Sequence, residues 1–209
     1  MAGVHSFSQL STVRFNRRLS NAQRIMLEAP APNVAQGLEL RPLSLSDAEG
    51  LFRGVEANRC ELRQWLPWVD GVQSPQNVTK FIEHSIEERN HDRSFQLGVW
   101  VDGVIRGVIG THPIDKANRS ISFGYWLAAE VQGSGVMTAC CRHVIAHLFE
   151  RLGLHRVVIR CAAENAKSRA IPTRLGFHQE GVLRDAEWLY DHFVDLVVYA
   201  RIADENLNP

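Results

Sequence analysis

One stretch constrains the chain more than any other. Ile121, Phe123, Tyr125 and Leu127 alternate with Ser120, Ser122, Gly124 and Trp126, the two-residue period of a strand. Ala128-Ala129-Glu130-Val131-Gln132-Gly133-Ser134-Gly135 follows, and then an apolar stripe at helical spacing: Met137, Cys141, Val144, Leu148 and Leu152, flanked by Ile145 and Phe149. Gly153 ends it. The pattern predicts a strand over 120–127, a glycine-containing loop, and a long helix over 134–152. Glycines let the backbone approach a ligand closely. A helix start aims unpaired N–H groups and the positive end of its dipole at one spot, and phosphate oxygens suit that spot. No Gly-Lys-Ser/Thr follows and no G-x-G-x-x-G is present, so this is neither a P-loop nor a dinucleotide fingerprint. Taken bare, a tight turn explains the loop equally well.

The rest of the chain alternates between the same two periods. Leu38 to Arg41 is a short strand. Ser46 and Glu49 have capping-box spacing and open a helix to about Asn58. Cys60 to Leu66 is a helical turn stopped before Pro67. Ser74-Pro75 starts a helix through Arg89, with Val78, Ile82 and Ile86 on one face. Residues 95–101 form a strand, Asp102-Gly103 a two-residue turn, and 104–110 returns antiparallel. Arg156 to Ala162 is a strand, Asn165 to Leu175 a helix closed by Gly176, and 177–184 with 193–202 a last hairpin. The order predicts an α/β (α+β) chain whose seven-stranded, mixed, mostly antiparallel sheet is flanked by helices around one crossover.

Composition narrows the function. Of 209 residues, 23 are Lys or Arg and 23 are Asp or Glu, so the net charge is zero. A non-specific nucleic-acid binder would carry a basic excess. No apolar run approaches the ~18 residues of a membrane span. Cys60, Cys140, Cys141 and Cys161 show no C-x-x-C spacing, which favours a reducing compartment and a cytoplasmic protein. Residues 1–27 hold Arg14, Arg17, Arg18 and Arg24 and no acid, and a stiff Ala29-Pro30-Ala31-Pro32 run follows. Residues 1–36 are expected to be a poorly ordered extension, with an organelle transit peptide as the alternative, and 37–205 to be the domain.

Several motifs in order carry a family resemblance. Gln132-x-x-Gly135-x-Met137 resembles the pyrophosphate loop Q/R-x-x-G-x-G/A of the GCN5-related N-acetyltransferases (GNAT). Asn165-Ala166-Lys167-Ser168-Arg169 and Leu175-Gly176-Phe177 resemble a later segment of the same superfamily. Together with Gly124-Tyr125-Trp126-Leu127 they resemble its RimJ/RimL branch, over about residues 38–203. The branch often carries Met at the position of Met137. Some members carry a carboxylate where this chain has Ser122, so that source of a general base is missing.

The resemblance implies the GNAT fold, splayed between the strands near 121–127 and 156–162. It implies acetyl transfer from acetyl-CoA to a primary amine by direct attack in a ternary complex, without a metal. Pantetheine would bond the strand near Leu127, Ala128 and Ala129. The diphosphate would meet backbone N–H groups of Gln132, Gly133, Ser134, Gly135, Val136, Met137 and Thr138. Asn165 and Ser168 would contact coenzyme A, and Ser168 would protonate the leaving thiolate; the plain alternative is that Asn165 caps a helix of which Ser168 is a first-turn residue. Pro172 removes the N–H that would bond the Ser168 carbonyl, so a kink and a free carbonyl are expected there. His112 and Asp70 are candidate general bases, or else loop polar residues. Trp65 and Trp68 are candidate walls of the acceptor site, or else core. His143 and His147, four apart, read as solvated helix-surface residues, and Cys140 and Cys141 as packing residues.

The expected acceptor is the N-terminal α-amine of a protein, plausibly ribosomal. The alternatives are a small amine such as a polyamine or aminoglycoside, and a non-catalytic acyl-CoA sensor. No nucleic acid or membrane partner is expected, and the resemblance allows a homodimer.

Overall fold

The computed structural model describes residues 37–203, so the extension expected over 1–36 lies outside the described residues. Seven strands form one sheet in the order β1-β2-β3-β4-β5-β7-β6. They are β1 Leu38–Pro42, β2 Gln96–Val101, β3 Val104–Thr111, β4 Ser120–Leu127, β5 Arg156–Ala162, β6 His178–Leu189 and β7 His192–Ile202. The helices are α1 Ala48–Ala57, α2 Arg59–Arg63, α3 Pro75–Asn90, α4 Val136–Glu150 and α5 Ala166–Arg174.

Every neighbouring pair is antiparallel except β4 and β5, which α4 joins as a crossover. That parallel ladder is short: Ser120 faces Arg156, Ile121 faces Val157 and Ser122 faces Val158, and there it stops. Beyond Ser122 the two strands part, which is the expected splay.

The two-residue period of β4 assigns its faces. Phe123 and Leu127 join Met137, Cys141, Val144 and Leu148 of α4 in one core. On the opposite face Trp126 packs against a second core of Leu51 from α1, Val78 and Ile82 from α3, and Trp100 and Val108 from the sheet. Helices therefore cover both faces, and the β4–β5 gap opens between two cores.

Four local readings are corrected. The first capping box is built by Ser44 and Asp47 rather than Ser46 and Glu49. The Asp47 carboxylate accepts the Ser44 N–H at 2.8 Å and the Arg41 guanidinium at 2.9 and 3.0 Å, whereas Glu49 reaches Arg53 along the helix surface. The long helix is shorter than the expected 134–152: the backbone is left-handed at Gly135, helical only from Val136, and the helix ends at Glu150. The last hairpin turns at Tyr190-Asp191, not across 185–192. A bulge between Leu183 and Glu187 absorbs the polar residues that read as a loop, with Asp185 at φ 49° and its N–H bonded to Asp195. Finally, His147 is buried, not solvated, and its Nε2 has no hydrogen-bond partner among the described residues. Burial lowers its pKa to about 4, with the His143 and Arg151 charges adding to the effect, so it stays neutral near pH 7. Cys140 and Cys141 are buried packing residues as expected, and burial pushes the Cys140 thiol up to about 12.

Leu148 is fully buried in the α4 stripe. Leu148→Ala should cost about 2–5 kcal/mol of unfolding free energy through the cavity it leaves, measured by urea denaturation. A cost below ~1 kcal/mol would show that α4 does not hold this core together.

Candidate active site

The parting of β4 and β5 leaves a cleft of about 1890 Å³. Ordinary ligand pockets run to roughly 1,000 Å³, so this one has room for a long cofactor and a second substrate. Its walls include the loop after β4, the start of α4, the inner edge of β5, the first turn of α5 and the segment after α2.

The loop is shaped by two residues with positive φ, Gly133 at 76° and Gly135 at 84°, a backbone state that side chains disfavour. With α4 starting at Val136, the N–H groups of its first turn have no partner within the helix and face the cleft mouth. The Met137 side chain is buried in the core, so only its backbone faces the loop and the missing third glycine obstructs nothing. Ser134 Oγ donates to the Val131 carbonyl at 2.7 Å. Gln132 acts as a brace: Nε2 donates to the Leu127 carbonyl at 2.9 Å and Oε1 accepts from Lys167 Nζ at 3.1 Å. Lys167 thus places a positive charge beside the loop.

The amides expected to meet pantetheine divide. The Ala128 N–H is bonded to the Arg106 carbonyl at 2.7 Å, and the Ala129 N–H to Asn58 Oδ1 at 2.8 Å. Neither is free for a ligand. Strand residues alternate the side on which their amides point, so with Ala128 turned to β3, the Leu127 N–H points into the gap. Asn58, which sequence reading passed over, also donates to the Gly54 carbonyl and so ties the end of α1 to the end of β4.

Across the gap, Asn165 caps α5, its Oδ1 accepting the Ser168 N–H at 3.0 Å. Pro172 lies inside α5 and removes the helical partner of the Ser168 carbonyl. That carbonyl is not left free, as the sequence suggested: Tyr125 Oη of β4 donates to it at 2.9 Å. Ser168 Oγ lies 3.2 Å from Cys161 Sγ and 3.5 Å from Tyr125 Oη. Burial holds the Tyr125 phenol far above its ordinary pKa and also raises the Cys161 thiol, so both stay protonated. Cys161 is therefore a neutral neighbour of Ser168 and not a nucleophile.

The other arm of the cleft lies under the segment after α2. Trp65 is half-buried and Trp68 is 39% exposed, with its ring 6.5 Å from Trp126, and both tryptophans line the cleft. The β6–β7 turn closes over this arm, Tyr190 Oη donating to the Leu66 carbonyl at 2.6 Å and Arg63 stacking on the Tyr190 ring at 3.9 Å. His112 is exposed at the cleft rim, its N–H bonded to the Ser122 carbonyl. Asp70 is held by Arg63 at 2.9 to 3.1 Å and is not among the lining residues. The carboxylate the sequence reading missed is Glu187. It lines the cleft, and burial raises its pKa above the usual carboxylate value. The available signal was Leu189, buried and two residues on: the strand period puts Glu187 on the same inward face.

The Tyr125–Ser168 bond has a built-in check. Tyr125→Phe strands the Ser168 carbonyl and should lower unfolding free energy by about 1–3 kcal/mol. Pro172→Ala supplies a helical N–H to that carbonyl, so the same change in a Pro172→Ala background should cost less than half as much. Equal costs in the two backgrounds, measured by urea denaturation, would show that the bond does not carry the effect.

Relatives agree with this geometry. A family model described as acetyltransferase (GNAT) domain matches residues 37–178. The chain is 35% identical over 173 residues to YdaF of Bacillus subtilis, covering 82% of this chain and 94% of that protein. It is 31% identical over 173 residues to the ribosomal-protein-serine acetyltransferase of Escherichia coli, covering 82% and 96%. A solved structure of RimL, a ribosomal L7/L12 alpha-N-protein acetyltransferase in complex with coenzyme A, superposes with a TM-score of 0.79 at 29% identity, covering 83% of this chain and 98% of that one. A sheet parted between β4 and β5, a glycine loop at the mouth of the gap and these likenesses have one reading: the chain belongs to the GNAT family, and is an N-acetyltransferase that uses acetyl-CoA.

Proposed function

We propose that the protein acetylates the N-terminal α-amine of a protein, in the first instance a ribosomal one, with Glu187 as general base and Ser168 as general acid. The observation that carries this reading is that a half-buried carboxylate with a raised pKa and the Ser168 hydroxyl line one cleft. Glu187, from β6, would supply the carboxylate that the chain lacks at Ser122.

An N-terminal amine reaches the site as an ammonium. Glu187 takes a proton, directly or through water, and its raised pKa makes it a better acceptor than an exposed carboxylate. The neutral amine attacks the thioester carbonyl and a C–N bond forms. The oxyanion meets the Leu127 N–H that points into the gap. The C–S bond then breaks, and the coenzyme A thiolate receives the Ser168 proton. The surplus proton on the new amide nitrogen passes through water back to Ser168, so the amide leaves neutral and the serine hydroxyl is restored; Glu187 returns its proton to solvent. Diphosphate at the first turn of α4, beside Lys167, and pantetheine along β4 hold the thioester in place, and this positioning supplies a large share of the rate. Asp70 is a poorer candidate than Glu187 because its carboxylate is engaged by the Arg63 guanidinium and does not line the cleft. His112 serves better at the rim, on the path of the acceptor.

The acceptor class is supported by the names of the relatives and by charge. Some relatives act on spermidine; the spermidine N(1)-acetyltransferase of Escherichia coli is 25% identical over 150 residues. A polycation calls for an acidic wall. The charged lining here is Glu61, Glu164 and Glu187 against Lys80, Arg142, Arg160, Lys167 and Arg174, which favours a single amine on an otherwise neutral peptide. The zero net charge supports an encounter with a protein end rather than with RNA. Such an acceptor places the reaction in the cytoplasm, where its four free thiols suit a reducing medium.

Thiol release from acetyl-CoA with a panel of N-terminal peptides tests this. Glu187→Gln should lower kcat by 10²-fold or more and leave acetyl-CoA affinity within about twofold. In the parent enzyme kcat/KM should fall as pH drops through a value above the usual carboxylate range, and the Gln variant should lose that limb. The charged form of Glu187 is disfavoured by burial, so its contribution to stability is full below the unfolded-state pKa and is lost as pH rises through the folded one. Glu187→Gln should therefore unfold no earlier than the parent at pH 8. Ser168→Ala should lower kcat about 10- to 10²-fold with little change in the peptide KM. Full activity in Glu187→Gln would remove the assigned base.

A further inference from the structure

The acceptor arm has a floor that the proposed chemistry does not use. Gly124 of β4 stands directly opposite Gly110 of β3, and Gly110 stands opposite Gln96 of β2. Direct cross-strand partners share a sheet face, and this is the face that carries Trp126 and Val108, toward α1 and α3. All three residues line the cleft. A Cβ placed on Gly124 would meet nothing within 4 Å, so its bareness is not required by packing. A Cβ on Gly110 would collide with the Gln96 side chain, which lies across it. Gln96 Nε2 donates to the Thr111 carbonyl at 3.3 Å, while Oε1 accepts no hydrogen bond among the described residues. The row crosses two strand spacings of ~4.8 Å, about 10 Å in all, the length of roughly three residues of extended peptide.

The row also leads somewhere. A second cavity, of about 190 Å³, shares Phe81, Gln96, Thr111 and His112 with the cleft and is completed by α3 residues, among them His84 and Ser85. Phe81 is 40% exposed at the junction.

We infer that Gly124, Gly110 and Gln96 form a lane for the acceptor polypeptide, along which residues two to four of its N-terminus run in extended form away from the reacting amine. The inference rests on the reading that the acceptor is a protein N-terminus. Gly124 lets the peptide backbone lie close to the sheet, Gln96, lying over Gly110, offers Oε1 to one of its N–H groups, and the small cavity takes the side chain at the far end. That cavity is lined by the hydroxyl, imidazole and amide groups of Ser85, Ser94, Thr111, His84, His112 and Gln96 and by the Glu88 carboxylate, which suits a small side chain that donates hydrogen bonds. The lane makes catalytic efficiency depend on peptide length, whereas a site for a free small amine would show no such dependence.

The test compares an amino-acid amide with a six-residue peptide amide of the same N-terminal residue. In the parent enzyme kcat/KM should be at least tenfold higher for the longer substrate. Gly124→Leu, placed in open space, should reduce that advantage to threefold or less, with coenzyme A affinity by calorimetry unchanged as the check on folding. Phe81→Ala, an exposed position, should reduce it partly. If Gly124→Leu binds coenzyme A normally and keeps the full length advantage, the lane is overturned. It is also overturned if the parent enzyme acetylates both substrates equally well, an outcome that leaves N-terminal acetylation intact. No turnover of either substrate would overturn the protein-N-terminus reading itself, and the lane with it.

Discussion

The parallel ladder between β4 and β5 ends after Ser122 and Val158, and the rest of the molecule is arranged around that ending. A parallel pair needs a crossover, and the crossover here is α4, whose first turn consequently lies at the mouth of the gap. Strand edges that part inside a sheet leave backbone groups without ladder partners, and a buried amide without a partner costs about 1–3 kcal/mol. Such a gap persists where water or a ligand completes it. The complement it calls for has peptide-like amides along its length and an anion at one end. The pantetheine arm and diphosphate of acetyl-CoA have that form.

The gap keeps its width through braces from both walls. Tyr125 of β4 reaches across to the Ser168 carbonyl of α5, and Lys167 reaches back to Gln132 of the loop. On the acceptor side Asn58 joins α1 to β4, and Tyr190 joins the β6–β7 turn to Leu66. Pro172 has a part in this. By removing one helical N–H it leaves the Ser168 carbonyl to Tyr125, so a break in local helix bonding becomes a tertiary link at the residue proposed to deliver the proton.

Much of this is legible in the amino-acid sequence alone. The alternation in 120–127, the stripe from Met137 to Leu148 and the glycines at 133 and 135 are local signals, because strand period, helix period and positive φ each depend on near neighbours. They located the loop and the crossover, while Ser168 was singled out only by the family resemblance of Asn165-Ala166-Lys167-Ser168-Arg169. What escaped depends on distant partners. Glu187 sits in Asp185-Ala186-Glu187, which has the polarity of a turn, and only the bulge opposite Val194–Leu196 makes it part of a strand. The Ser168 carbonyl was expected to be free because a local rule counts helical partners and cannot see Tyr125, 43 residues away. His147 read as solvated because its helix face looked polar, yet it packs into the interior. The amides of Ala128 and Ala129 looked available for a ligand until Arg106 and Asn58 were seen to hold them.

The central claim is that coenzyme A lies in the β4–β5 gap with its diphosphate on the first turn of α4. Amide hydrogen exchange of the full-length protein, with and without coenzyme A, tests it most directly. The account expects slowed exchange at Leu127 and across Gly133 to Thr138, with Ala128 and Ala129 unchanged because their N–H groups are already bonded within the chain. Bound coenzyme A that leaves residues 133–138 exchanging at the free-protein rate would contradict it.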